Sequence, residues 1–201
     1  MSKVISISRE FGSGGREIGY RLSELLGIPV YDKEIISMAA EDSNMAEDVF
    51  HAHDEVISRK DRVDAYKSIN PFSPIYEIPV SDQIFMLQSQ IIRKLEQEGP
   101  CIIIGRCSDI IVEDGLDVFI CSGFKKRVER LQAIEPEESV RKLESRIREI
   151  DRKRRDYYQY YSGNEWGNPR NYDLSLNSGR LGIDRCVELI ADCWGKRAEN
   201  R

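Results

Sequence analysis

The start of the chain constrains its fold most. Lys3-Val-Ile-Ser-Ile-Ser8 is a short β-branched run that leads into a glycine-rich turn, Phe11-Gly-Ser-Gly-Gly15. Ile18, Leu22, Leu25 and Leu26 then recur at helical spacing, so a helix follows the turn. Gly27 stops that helix, and Ile28-Pro-Val-Tyr31 supplies a second short strand. Strand, glycine turn, helix and strand in this order open a parallel α/β sheet.

The remaining segments continue the alternation. Residues 32–70 are polar and read as helical in pieces, with Asn70-Pro-Phe-Ser-Pro74 as a loop. Ser81 is expected to cap a helix that carries Ile84, Leu87, Ile91 and Leu95 and ends at Gly99-Pro100. Cys101-Ile-Ile-Ile104 is the best buried strand and runs into Gly105-Arg106. Asp117-Val-Phe-Ile120 is a fourth strand, followed by a basic helix over 124–134. Pro136 suits the first turn of a long charged helix that reaches about Tyr161. Leu176 and its neighbours form a fifth strand, and Ile183 to Trp194 a closing helix. About five strands with helices on both faces suit a single α/β domain of 201 residues, 40% of them hydrophobic.

Composition removes several classes. No apolar run approaches the ~20 residues that span a bilayer, and the N-terminus enters a strand rather than a signal peptide. The five cysteines are widely spaced without a Cys-x-x-Cys pair, which favours a reducing, cytoplasmic setting. The two histidines, His51 and His53, lack further ligands at metal spacing. Thirty basic against 35 acidic residues, net −5, point away from nucleic acid as a partner.

The glycine turn carries the chemistry. In a doubly wound sheet, ligands sit beyond the carboxyl ends of the strands, where this turn falls. Gly12, Ser13, Gly14 and Gly15 let backbone N–H groups curl into an anion nest, and the next helix aims its positive end at the same point. Arg16 supplies a full charge to β- and γ-phosphate oxygens. Against a Walker A loop, Arg16 stands in the lysine's place, Glu10 in that of the first glycine, and Glu17 in that of the Mg2+-binding Ser/Thr. Glu17 is the candidate Mg2+ ligand. The alternative is a plain strand–helix connection with no ligand.

Together with later segments the turn resembles the cytidylate kinase-like family of P-loop nucleoside monophosphate kinases. The resemblance runs from Ile5 to Arg16, then through Val30-Tyr-Asp-Lys-Glu34, Ile103-Ile-Gly-Arg106, Asp151-Arg-Lys-Arg-Arg155 and Tyr172-Asp-Leu-Ser-Leu-Asn-Ser178. It implies a three-layer P-loop fold with strand order 2-3-1-4-5. It also implies a helical acceptor-binding insertion over about 32–80 and a helical lid over about 136–171. The implied reaction moves the γ-phosphoryl group of ATP, with Mg2+, to CMP or dCMP. By the same resemblance Asp32 and Lys33 begin the acceptor site and Arg106 contacts the acceptor. Asp109 stands two residues beyond Cys107, which occupies the place of the family's aspartate. Asn177 and Ser178 would border the adenine. Regulatory nucleotide binding without turnover, and a different small acceptor such as shikimate or a sugar, remain as alternatives.

Arg141, Arg148, Arg152 and Arg155 share a stripe on the long charged helix, while Leu143, Ile147 and Ile150 face elsewhere and pack inward. Phosphoryl transfer is mainly alignment and charge stabilisation, so a lid arginine is worth ~10³–10⁵ in rate in related P-loop systems. Arg148, Arg152 and Arg155 are the lid candidates, weighed against a solvated, salt-bridged helix face. Tyr157, Tyr158, Tyr160, Tyr161 and Trp166 either stack a base or pack the lid onto the core.

Overall fold

The computed structural model describes residues 4–43, 46–57 and 78–199. Its strands are β1 (Val4–Arg9), β2 (Val30–Tyr31), β3 (Cys101–Ile104), β4 (Leu116–Cys121) and β5 (Leu174–Asn177). The helices are α1 (Gly15–Leu26), α2 (Glu34–Ser43), α3 (Glu47–His53), α4 (Val80–Glu98) and α5 (Ser108–Ile111). They continue with α6 (Phe124–Ile134), α7 (Val140–Ser162), α8 (Ser178–Leu181) and α9 (Ile183–Glu199). The loop expected at Asn70–Pro74 lies outside the described residues.

All strand pairs are parallel and the order is β2-β3-β1-β4-β5, as the resemblance implies. β1 is central. All six of its residues are buried, serines included. Ile5 and Ile7 join Ile102, Ile104, Val118 and Ile120 beneath α1 and α9. On the other face Val4 and Ile103 pack with Ile36, Ile84, Ile92 and Phe50 from α2, α4 and α3. The serines on that face are satisfied: Ser6 Oγ lies 2.5 Å from Ser108 Oγ, and Ser8 Oγ accepts from Trp166 Nε1 at 3.2 Å.

Two helix starts differ from expectation. α4 begins at Val80 with Pro79 at its N-cap, and the Ser81 side chain is buried rather than capping. α7 begins at Val140, because Ser139 supplies the capping oxygen to Lys142 N–H, and Pro136 lies in the turn before it. These shifts leave the topology intact. Register places Ile7 beside Ile104 and Arg9 beside Ile120, so the glycine turn emerges between the ends of β3 and β4. That is the switch point of the sheet.

Candidate active site

The glycine turn forms a cradle. Gly14 is left-handed (φ 82°), and a Cβ there would lie 2.5 Å from Ile183 Cδ1, so only glycine fits. The first helical bond runs from Ile18 N–H to Gly14 O at 2.9 Å, so the N–H groups of Gly15, Arg16 and Glu17 precede the ladder. These residues border a cavity of ≈ 460 Å³ whose walls also carry Arg9, Arg130 and Arg154. Converging helix N–H groups and arginines fit a polyphosphate. Ser13 is fully buried below the cradle rather than on its wall.

Glu10 lines the same cavity, but its carboxylate is tied back into the protein. Its Oε2 accepts from Ser122 N–H at 2.8 Å and sits 3.6 Å from Arg127 Nε, tying the turn to the end of β4. Burial raises its pKa, against the opposing pull of Ser122 N–H and Arg127. Glu17 pairs with Arg21 at 2.6 Å on the exposed side of α1. Among the described residues no group of three or more His, Cys, Asp and Glu side chains converges on a metal position. Two loop carboxylates, Glu10 and Glu17, border the cavity, each already paired with an arginine.

Behind the turn lies a buried ionic cluster drawn from distant segments. Gly105 (φ 80°), Arg106 (φ 52°) and Cys107 (φ 54°) are all left-handed, which curls the chain after β3 so that Arg106 Nη1 reaches Ile104 O at 2.9 Å. A Cβ on Gly105 would fall 1.9 Å from Arg9 Nη1 and 2.2 Å from Glu55 Oε1, so this glycine admits the cluster. Arg106 is 1% exposed and grips Asp54 with Nε (3.1 Å) and Nη2 (2.9 Å), and Asp32 with Nη1 (2.6 Å). Asp32 also accepts from Arg16 Nε at 2.5 Å. Glu55 binds Arg9 Nη1 at 2.7 Å and Arg154 Nε at 3.1 Å. Burial would raise the Glu55 pKa, but Arg9, then Arg154 and Arg106, outweigh it and hold the carboxyl well below its usual range. Asp32 is likewise lowered, with Arg9, Arg106 and Arg16 overcoming burial.

The long helix α7 docks directly on the turn. Asp151 accepts from Phe11 N–H (2.8 Å) and from Arg127 Nη1 (2.5 Å). Arg154 Nη1 donates to Arg9 O at 3.0 Å. Its pKa is pulled down to about 10, first by burial and then by Arg9, against Glu55. It still carries its charge at neutral pH. The arginines of the expected stripe sit elsewhere. Arg148 is 66% exposed, lies 3.7 Å from Glu144 and stacks over Phe124. Arg152 is 62% exposed and faces Asp156, and Arg155 is exposed. The structure therefore brings Arg154 to the cavity, a residue the stripe did not include. Arg9, Arg130, Asp54, Glu55 and Asp151 were also absent from the expected site.

Other expected residues separate. Lys33 is exposed, and its carbonyl accepts from Ile36 N–H at the start of α2. Asn177 caps α8 through Gly179 N–H, and Ser178 Oγ donates to Ser13 O at 2.5 Å, so Ser178 braces the turn from behind. Tyr157 and Tyr158 are buried, and Tyr161 stacks on Phe85 at 3.8 Å, fastening α7 to α4. Asp109 bonds to Tyr158 rather than joining the ionic cluster. Burial raises its pKa to about 6, against the Tyr158 hydrogen bond. A carboxyl raised in the folded state adds stability that is complete below its unfolded value near 3.8 and is lost as pH rises through about 6. Asp109→Asn is therefore expected to stabilise the protein by about 1–2 kcal/mol at pH 8. It should give no gain at pH 4, as thermal melts at the two pH values would read.

A sequence profile of the cytidylate kinase-like family matches residues 4–180. The chain belongs to this family. No curated protein matches its sequence. Among solved structures, an uncharacterized protein from Eubacterium ventriosum aligns at 23% identity and TM-score 0.68, over 94% of this chain and 96% of its own. A shikimate kinase from Bacteroides thetaiotaomicron aligns at 13% identity and TM-score 0.55, over 96% and 98% of the two chains. A gluconokinase from Sinorhizobium meliloti aligns at 13% identity and TM-score 0.54, over 99% and 94%. These likenesses establish the fold, and membership of the cytidylate kinase-like family supports a P-loop kinase. Among the described residues no helix is long and apolar enough to cross a membrane.

Proposed function

We propose that the chain is an ATP-dependent phosphotransferase that phosphorylates a nucleoside monophosphate, with CMP or dCMP favoured by family membership. The observation that carries this reading is the glycine cradle at the head of α1, walled by Arg9, Arg16, Arg130 and Arg154. Such a wall matches the charge of a nucleotide polyphosphate. An acceptor oxygen attacks the γ-phosphorus in line, the bond to the β–γ bridging oxygen breaks, and ADP leaves with that electron pair. No covalent enzyme intermediate is needed. Arg16 and Arg154 stabilise charge on the transferred group, while α7, fastened through Asp151, excludes water. Mg2+ accompanies ATP in this reading and supplies charge neutralisation, and no step above depends on a protein ligand for it. The acceptor enters from the side of α2 and α3, in the described part of the insertion expected over about 32–80, and 136–171 act as the lid of one catalytic unit.

A second reading has a specific observation behind it. Four donor contacts of Arg106 go to Asp54, Asp32 and Ile104 O, so this buried arginine is committed to protein acceptors, and the partly exposed member of the trio is the Asp54 carboxylate. Carboxylates hold hydroxyl groups better than they hold a phosphate, and two of the structural neighbours are named as kinases of shikimate and gluconate type. The deciding experiment mixes protein, ATP and Mg2+ with CMP, dCMP, UMP, AMP, GMP, shikimate or gluconate and measures acceptor-dependent ADP. Turnover with CMP or dCMP is expected. Turnover with a hydroxy acid alone would move the assignment to the second reading. ATP binding without any turnover would favour a regulatory nucleotide-binding protein.

A further inference from the structure

Position 16 holds an arginine where a phosphate-binding loop of this kind carries lysine. We propose that Asp32 imposes this choice, as a positioning residue that holds Arg16 by one edge and turns its terminal nitrogens toward the nucleotide phosphates. The inference rests on the reading that the glycine turn holds a polyphosphate.

Arg16 Nε donates to Asp32 Oδ2 at 2.5 Å. Among the described residues no protein acceptor is bonded to the two terminal nitrogens of Arg16, whose side chain is 54% exposed beside the cavity. Asp32 is a fixed carboxylate. Its Oδ1 is bound by Arg106 Nη1 at 2.6 Å with Arg9 Nη2 at 3.8 Å, and all three side chains are buried. Arg16 is its partner on the solvent side.

A guanidinium divides its donors between edges, so the Nε contact leaves the outer pair for a second anion. A lysine carries its whole charge on one nitrogen. At position 16 that nitrogen would meet a fixed carboxylate at contact distance before any ligand arrived. Drawn to Asp32, the ammonium is spent there, and the phosphates lose the cation. The one carboxylate also joins Arg16 to Arg106, linking the donor loop to the residues at the end of β3 through a single rigid group.

The test measures ATP affinity by calorimetry for the wild type, Arg16→Ala, Arg16→Lys and the double variant Arg16→Lys/Asp32→Asn. One charge-assisted contact sets the scale, so Arg16→Lys is expected to weaken binding about 10- to 100-fold. It should fall within about threefold of Arg16→Ala, the spread expected of equivalent variants. Adding Asp32→Asn releases the ammonium and is expected to recover about tenfold. Asp32→Asn alone, with arginine in place, should bring no gain. Wild-type affinity in Arg16→Lys, or a double variant that folds and recovers nothing, would overturn the proposal. Because Arg16 is exposed, the lysine and alanine variants decide the matter even if replacement of Asp32 unfolds the chain. Absence of ATP binding in the wild type would instead remove the nucleotide reading itself, and the proposal with it.

Discussion

Arg154→Gln is expected to lower kcat with the preferred acceptor about 10³-fold, within the range known for arginines that stabilise a transferring phosphoryl group. The reason is placement. Arg154 is anchored at both ends of its guanidinium, by Glu55 Oε2 at 3.1 Å and Arg9 O at 3.0 Å, and it borders the cavity under the glycine turn. Its lowered pKa records a cation that burial and Arg9 leave under-compensated, a state that an incoming anion relieves. Glu55 keeps its bond to Arg9 in the variant, so the fold is expected to survive. Arg148→Ala and Arg152→Ala are the controls. Both residues are exposed and loosely paired, and each change should stay within about threefold of wild type. Steady-state kinetics with ADP release separates these outcomes. A large loss in Arg148→Ala beside a mild one in Arg154→Gln would return the lid role to the outer stripe.

Arg106→Met should cost about 3–5 kcal/mol of folding stability, the scale for removing one partner of a buried ion pair. Asp32 is 2% exposed and would keep only Arg9, at 3.8 Å, and the surface Arg16, while Asp54 would lose both of its contacts with Arg106. The curl after β3 would also lose the bond from Arg106 Nη1 to Ile104 O, in a run where Gly105, Arg106 and Cys107 are all left-handed. Denaturant midpoints would measure the loss. The sign of its pH dependence follows from Asp32. A carboxyl lowered in the folded state contributes stability above its unfolded pKa and loses it as pH falls. The gap between wild type and Arg106→Met should therefore narrow on acidification. Asp54→Asn in the variant background should recover part of the loss, and a cost below about 1 kcal/mol would mean that the cluster does not hold the site together.

The long helix shows where sequence reasoning stopped short. Leu143, Ile147, Asp151, Arg154 and Tyr158 follow spacings of four, four, three and four, which is one helix face. Leu143, Ile147, Asp151 and Tyr158 on that face are buried, and the side chain of Arg154 is only 13% exposed. A carboxylate and an arginine in register with the apolar face were the signal for a charged pair inside the molecule. Arg148, Arg152 and Arg155 form the more regular stripe one position along the helix, and spacing alone favours it over the single arginine on the apolar face. Arg9 and Glu10 were legible only as flanks of the glycine turn. Their partners, Glu55 and Ser122, lie 46 and 112 positions away, and no local spacing encodes such a pairing.

What the amino-acid sequence determined by itself was local: the glycine turn, the apolar periods, the strand segments and their order. These follow from backbone sterics and from patterns that span a few residues, so they survive without knowledge of the fold. The shared carboxylate Asp32 and the place of Arg154, rather than Arg148 or Arg152, on the cavity wall were decided by tertiary structure. Charges separated by tens of residues meet only after the sheet forms, and burial then selects which of many similar side chains loses water and acquires a partner.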